Sequence, residues 1–208
     1  MTAQPARTRR RGSYVTGTAA RARILRAATE AFSEHGYRGA SLAAIGRSID
    51  MTQQGVLYHF PTKVSLLLAV LEERDRRGMQ TWPQDRPLVG TEVLDEWDAT
   101  VAQNVQRYGL VRLAHVLGAE ATEADHPARD YYITHFDIGR GMLRSSFRAG
   151  VEAGQLRADL DYEMVADQVI AMSEGLENQW LIDPASIDIV ACFHDFTHHL
   201  RARIRREP

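Results

Sequence analysis

Apolar residues recur at helical rather than alternating spacing along almost the whole chain. From about Thr18 to His35 the stripe is Ile24, Leu25, Ala28, Ala31 and Phe32, and Gly36 supplies a C-terminal stop. Ser41 is placed to cap a second helix whose inward face is Leu42, Ile45 and Ile49. Thr52 is placed to cap a third, with Val56, Leu57 and Phe60 turned inward. Between them Ser48-Ile49-Asp50-Met51 reads as a tight turn, with Asp50 where positive φ is needed and an Asp tolerates it. Pro61-Thr62 restarts the chain into a longer helix through Val64, Leu67, Leu68 and Leu71 to about Met79.

Trp82-Pro83-Gln84-Asp85-Arg86-Pro87 reads as a linker, because two prolines in so short a run cannot continue a helix. Beyond it the pattern predicts helices at roughly 91–107, 109–124, 127–153, 161–181 and 186–205. The fourth of these carries Val165, Val169, Met172, Leu176 and Trp180 on one face. The last carries Ile187, Val190, Phe193 or His194, Thr197, Leu200 and Ile204. No strand pattern and no internal repeat is seen, so the expected fold class is all-α. The expected division is a basic arm at 1–17, a helix-turn-helix domain at 18–62 and a helical body at 63–208.

Charge sharpens this picture. The 208-residue chain has a net charge of −2, but residues 1–63 hold ten basic side chains against three acids. A basic head on an acidic body is what a protein needs when only its head meets a polyanion. Residues 1–17 are Arg-rich and aperiodic, which reads as a mobile arm. No run of about 18 apolar residues occurs, so no membrane span is expected. The single cysteine, Cys192, excludes an intrachain disulfide, suits a reducing cytoplasm and reads as a buried structural thiol.

The head then suggests its own chemistry. Three short helices with a tight turn between the last two form a helix-turn-helix, whose final helix enters the major groove. Gln53 and Gln54 stand at the start of that helix, and glutamine can bond both N6 and N7 of adenine. Gly55 would let the backbone approach closely, while Tyr58, His59, Thr62 and Lys63 would supply phosphate donors. Amide groups at the helix start near Thr62 add to the attraction for an anion.

The stretch SLAAIGRSIDMTQQGVLYHFPTKVSLLLAVLEERD resembles the tetracycline-repressor (TetR) family of bacterial transcription regulators. The match covers about residues 20–75 and is carried by Ser41-Leu42, Ile45 and the run from Tyr58 to Lys63. The resemblance implies a homodimer of nine-helix subunits binding a palindromic operator, with a small-molecule pocket in the body. Effector binding there moves the fourth helix and releases DNA. It also assigns Thr52, Gln53, Gln54 and Gly55 to bases and nearby phosphates, and Tyr58, His59 and Lys63 to the backbone; Ser41 and Thr62 complete the expected DNA-binding set. Three departures stand out: Asp50 where the family often has Gly, Leu57 where many members have Tyr, and Gln54 where a glycine is usual, with Gly55 one place later.

In the body, pocket candidates are the aromatic and polar-tipped residues Trp97, His115, Tyr132, Phe136, Phe147, Met172 and Trp180, since ligand pockets combine apolar walls with a few polar groups. The last two helices have apolar faces wide enough for a partner, as the implied dimer requires. His194 and His198 stand at i and i+4 but do not complete a metal site, so no metal and no cofactor is expected. Glu120, Glu123, Asp125 and His126, followed by Pro127, read as a loop and helix-start region. The competing classes are an all-α enzyme and a ligand-independent DNA binder. No phosphate loop, nucleophile elbow or Cys/His set supports the enzyme, and a body of this size argues against the plain DNA binder.

Overall fold

The computed structural model describes residues 10–206, with side chains from Thr18 onward apart from Thr81. The described chain is all-α: α1 (Arg10–Gly39), α2 (Leu42–Arg47), α3 (Gln53–His59), α4 (Lys63–Gly78), α5 (Glu92–Val105), α6 (Tyr108–Glu120), α7 (Arg129–Glu152), α8 (Tyr162–Ile182) and α9 (Ile189–Ile204). A single 3-10 turn, Met79–Thr81, follows α4. The sole β-type pairing among the described residues is an isolated bridge between Leu156 and Arg205.

The helices start where side chains can take up free amide groups. Ser41, Thr52 and Thr62 accept from Ala44, Gly55 and Ser65, and Thr62 with Ser65 completes a reciprocal capping box. Asp161 and Asp188 do the same for α8 and α9. Gly36 breaks α1 with φ 67° and ψ −178°, although helical turns resume to Gly39. Asp50 holds φ 55°, the positive value its turn requires. Residues 1–9 of the expected arm lie outside the described residues, while 10–17 are already part of α1.

Two cores divide the molecule. The first joins Ile24, Phe32, Ile45, Val56, Phe60 and Leu67 of the head to Leu113 and Leu117 of α6. The second is built by α5, α7, α8 and α9 around Leu94, Leu143, Phe147, Val169 and Phe193. Packing therefore ties the first half of α4 to the head: Leu66, Leu67, Val70 and Leu71 all belong to the first core. The expected boundary at 62/63 falls where no packing break exists.

Two expectations are corrected and one open choice is decided. Trp82–Pro87 is no free linker: Trp82 is buried in the second core and its Nε1 donates to Thr100 at 3.0 Å, because a proline-broken chain can still bury its aromatic. Cys192 is exposed, since it falls on the outer face of α9. On the same helix Phe193 is the inward residue and His194 faces out beside Asp98.

Candidate DNA-binding surface and interior cavity

The turn between α2 and α3 depends on a glycine that periodicity did not reveal. Gly46 is buried, its carbonyl accepts from Met51 N at 2.9 Å, and a Cβ there would lie 2.7 Å from the Met51 carbonyl oxygen. Only a residue without a side chain lets α3 cross α2 this closely. Arg23 fastens α1 to the turn, donating to the Ile49 carbonyl at 2.5 Å. Arg21 lies 4.2 Å over the Phe60 ring. Neither arginine was singled out from sequence, because charge alone does not distinguish a brace from a free cation.

With its inner face buried through Val56 and Phe60, α3 turns Gln53, Gln54 and Tyr58 to the outside. Tyr58 is 83% exposed and stands edge-on to His59 at 5.2 Å. Ser41 and Thr62 are exposed, but their hydroxyls already accept from Ala44 N at 3.1 Å and Ser65 N at 3.0 Å. Thr52 likewise accepts from Gly55 N at 3.1 Å. The missing side chain of Gly55 makes room for Met51, whose methyl would stand 3.3 Å from a Cβ.

Lys63 departs furthest from the simple picture. Its ammonium sits 4.5 Å from the Tyr37 ring and donates to the Arg38 carbonyl at 3.4 Å. Partial burial pulls its pKa down and the Glu120 charge opposes that shift. Lys63 thus joins the start of α4 to the end of α1.

The head is docked on the body at the same place. Tyr37 N donates to Glu120 Oε2 at 2.8 Å, Arg38 pairs with Glu123, and the Glu120 carboxylate fills the space a Cβ on Gly36 would need. His126 packs edge-on to Tyr37 at 5.4 Å. The acidic cluster read from sequence as a loop and helix-start region also supplies, through Glu120 and Glu123, half of an interdomain joint.

The second half of α4 enters the body and forms one wall of a cavity of about 340 Å³ between α4, α5, α7 and α8. Its apolar walls are Trp82, Trp97, Phe136, Met142 and Ile170, and the two tryptophans meet edge-to-face at 5.5 Å. Its polar groups are mostly satisfied. Glu177 is buried and receives Asn104 Nδ2 at 2.7 Å and His115 Nε2 at 3.2 Å. Asp75 receives the Tyr131 hydroxyl and lies 3.2 Å from His135 Nδ1. Burial pushes the Asp75 carboxyl up, but His135, Arg74 and Tyr131 outweigh it and hold the pKa below its usual value.

Of the seven pocket candidates, Trp97 and Phe136 line this cavity, and His115 stands behind it as the partner of Glu177. The other four lie elsewhere. Tyr132 belongs to the first core, its hydroxyl donating to the Ala114 carbonyl at 2.8 Å. Phe147 and Trp180 fill the second core. Met172 is exposed on the outer face of α8, near Phe196 of α9. Aromatic spacing reveals a buried face but not what it is buried against. Arg74 and Glu174, two of the charged groups that line the cavity, carried no signal at all. Among the described residues no group of three or more His, Cys, Asp or Glu is arranged to hold a metal, and no helix is long and apolar enough to cross a membrane.

A basic head folded as a helix-turn-helix and docked on a hollow helical body defines a DNA-binding protein. Residues 24–70 match the model of the bacterial regulatory proteins of the tetR family. The HTH-type transcriptional regulator UidR of Escherichia coli K12 is 24% identical over 157 residues, covering 75% of this chain and 79% of that protein. In fold the chain is similar to Salmonella enterica GusR, with a TM-score of 0.71 and 24% identity over 88% of this chain and 96% of that one. SmeT of Stenotrophomonas maltophilia, solved with triclosan, also superposes at a TM-score of 0.71, with 22% identity over 91% and 93%. Residues 24–70 thus carry a DNA-binding domain of the tetR-family type, and the proteins that the chain resembles are transcriptional regulators rather than enzymes.

Proposed function

We propose that this regulator is a repressor that binds a palindromic operator as a homodimer and is released by a small-molecule effector held in the α4–α8 cavity. The observation that carries the reading is the course of α4. This one unbroken helix begins at Lys63, against the end of α1 and directly after α3, and ends in the cavity wall at Arg74, Asp75 and Gly78. A ligand that shifts the wall shifts the start of the helix, and α3 with it. The effect is a population shift between two placements of the head. SmeT, similar in fold, takes triclosan, and a cavity of about 340 Å³ falls in the range that holds small organic ligands.

Residues 18–62 form the DNA-binding domain in this reading, and 63–208 form the effector-binding and dimerisation body. Gln53 and Gln54 read base edges. Ser41, Thr52, Tyr58, His59 and Thr62 lie along the phosphates, Gly55 lets the helix sit close, and Lys63 acts at one remove, fixing α4 to the head while adding positive charge. The dimer partner is a second copy docked on α8 and α9, where Met164, Met172, Ile182 and Val190 remain exposed. Such an isologous pair sets two copies of α3 about one DNA turn, roughly 34–36 Å, apart. The protein acts in the cytoplasm, wherever its operator lies.

The test is a gel-retardation assay on an operator selected from random DNA, with a panel of small metabolites and a cavity-filling variant. A Cβ on Gly139 would already lie 3.5 Å from Trp97, so Gly139→Leu fills the cavity. The variant is expected to bind DNA and ignore the releasing compound. Linkage requires the operator to weaken effector binding by the same factor as the effector weakens operator binding. Equal effector affinity with and without operator would remove the release mechanism. For the dimer, Met172→Glu is expected to shift the sedimenting species to monomer, and an unchanged dimer would move the interface elsewhere.

A further inference from the structure

Two charged groups in the cavity wall remain without hydrogen-bond partners. Arg74 Nη1 is shielded from solvent and makes no hydrogen bond; the nearest acidic oxygen, Asp75 Oδ1, is 3.5 Å away. Glu174 on α8 lines the same cavity, accepts no hydrogen bond and joins no ion pair among the described residues. Every other charged group of the lining makes a hydrogen bond: Asp75, Arg76, Arg107, His135 and Glu177 are all engaged. Arg74 has only this ion pair with Asp75, without a hydrogen bond, and Glu174 has neither; the two groups are opposite in sign and near enough to influence each other's ionisation, yet no ion pair joins them. They also belong to different helices, Arg74 to α4 and Glu174 to α8.

Resting on the effector-cavity reading, we propose that the cavity takes an amphiphile whose head group is zwitterionic, an α-amino-acid-like pairing of anion and ammonium. Its anionic end meets Arg74, its ammonium end meets Glu174, and its apolar tail lies against Trp97, Phe136 and Ile170. The chemistry follows from what each group lacks. A buried guanidinium with an unused N–H needs an acceptor. Burial favours the neutral form of Glu174 against the opposing influence of His115, Arg74 and His135, and no hydrogen bond or ion pair meets its carboxylate. A simple carboxylate would satisfy Arg74 while facing Glu174, Glu177 and Asp75. A simple ammonium would satisfy Glu174 while facing Arg74. The head also ties α4 to α8, so Arg74 is the residue through which occupancy reaches the head domain.

The experiment uses four compounds with one tail and different heads: 2-aminodecanoic acid, decanoate, decylammonium and decan-1-ol, each below its micelle concentration. Binding to the full chain is read from the fluorescence of Trp82 and Trp97, which face the cavity. The zwitterion is expected to bind about tenfold or more tighter than the other three, the worth of one charge-assisted hydrogen bond or more. Arg74→Gln and Glu174→Gln should each erase most of that advantage and change decan-1-ol affinity far less. Arg74→Gln should also bind the tail without releasing the operator. Should Arg74→Gln not fold, Arg74→Lys replaces it, keeping the charge but losing the fork, and is expected to lose part of the preference. A zwitterion no tighter than decan-1-ol overturns the head-group proposal while leaving the cavity a binding site. Four compounds that all fail to alter the fluorescence overturn the proposal, and an operator still released by the metabolite panel from both wild type and Gly139→Leu overturns the cavity reading.

Discussion

The backbone N–H of Tyr37 donates to Glu120 Oε2 across 2.8 Å, joining residues 83 apart in sequence. Tyr37 lies just past the break at Gly36, where the chain turns toward α2, and Glu120 is the last residue of α6. The contact therefore fixes the angle at which the head sits on the body. The same carboxylate lies 3.6 Å from Nε2 of the buried His126 and acts on Lys63 through its charge.

Glu120→Ala leaves the Tyr37 N–H without its acceptor. The expected loss of stability is about 1–2 kcal/mol, the cost of an unpaired, partly buried donor. Equilibrium denaturation in urea measures it. An unchanged midpoint would mean that water replaces the carboxylate without cost and that the joint is held by apolar packing alone.

Gly46→Ala tests the turn. Its Cβ would meet the backbone oxygen of Met51 at 2.7 Å, and backbone has no rotamer by which to escape. The expected cost is at least 1–3 kcal/mol, about that of overpacking a filled core, and it falls on the head. Operator binding should fail while the second core, which contains none of α1–α4, keeps its protection from hydrogen exchange. Uniform loss of protection in both cores would show that the two fold as one unit.

What could be read from sequence was what repeats locally. Ile45, Val56 and Phe60 fell on the inner faces that their spacing predicts, Ser41 and Thr52 cap the helices they precede, and the chain restarts at Thr62. Asp50 took the positive φ that its place in the turn demands. What escaped depends on residues far apart in the chain. Nothing near Glu120 says that it will sit under Gly36, and nothing near Arg74 says that its guanidinium will share a cavity with Glu174. Phe147 and Trp180 look like Trp97 in a periodic stripe, but only the packing of α5 against α7 and α8 leaves a hollow beside one and not the others.

Gln54, Tyr58 and Lys63 should separate base reading, phosphate contact and anchorage. Gln54→Ala is expected to cost about 1–3 kcal/mol on the selected operator and little on random DNA. Tyr58→Ala should weaken both DNAs alike, because a phosphate contact carries no sequence information. Lys63→Met should lower stability by about 0.5–1 kcal/mol through its lost Tyr37 contact. It should also reduce the salt slope by less than the roughly 0.9 of a full phosphate contact. Anisotropy titrations at several salt concentrations supply all three readings. Equal losses for Gln54→Ala on both DNAs would move base reading to Gln53.

Glu174 should make the free protein less stable as pH rises. Burial comes first in raising its folded pKa, and the neighbouring Glu177 charge adds to it, against the opposing influence of His115, Arg74 and His135. The folded state thus holds this proton more tightly than the unfolded chain. At pH values below the unfolded carboxyl pKa, about 4.3, both states are protonated and Glu174 costs nothing. As pH rises past that value the unfolded chain releases its proton first, and stability falls until the folded carboxyl ionises as well. Glu174→Gln, which stays neutral at every pH, should therefore raise the thermal midpoint at pH 7 and leave it unchanged near pH 4. The same substitution weakens the ligand proposed for the cavity, so this carboxyl lowers stability where it serves binding. A thermal midpoint for Glu174→Gln that is unchanged or lower at pH 7 would show that the carboxyl is already solvated or paired, and that the cavity lacks the unmet charge on which its ligand depends.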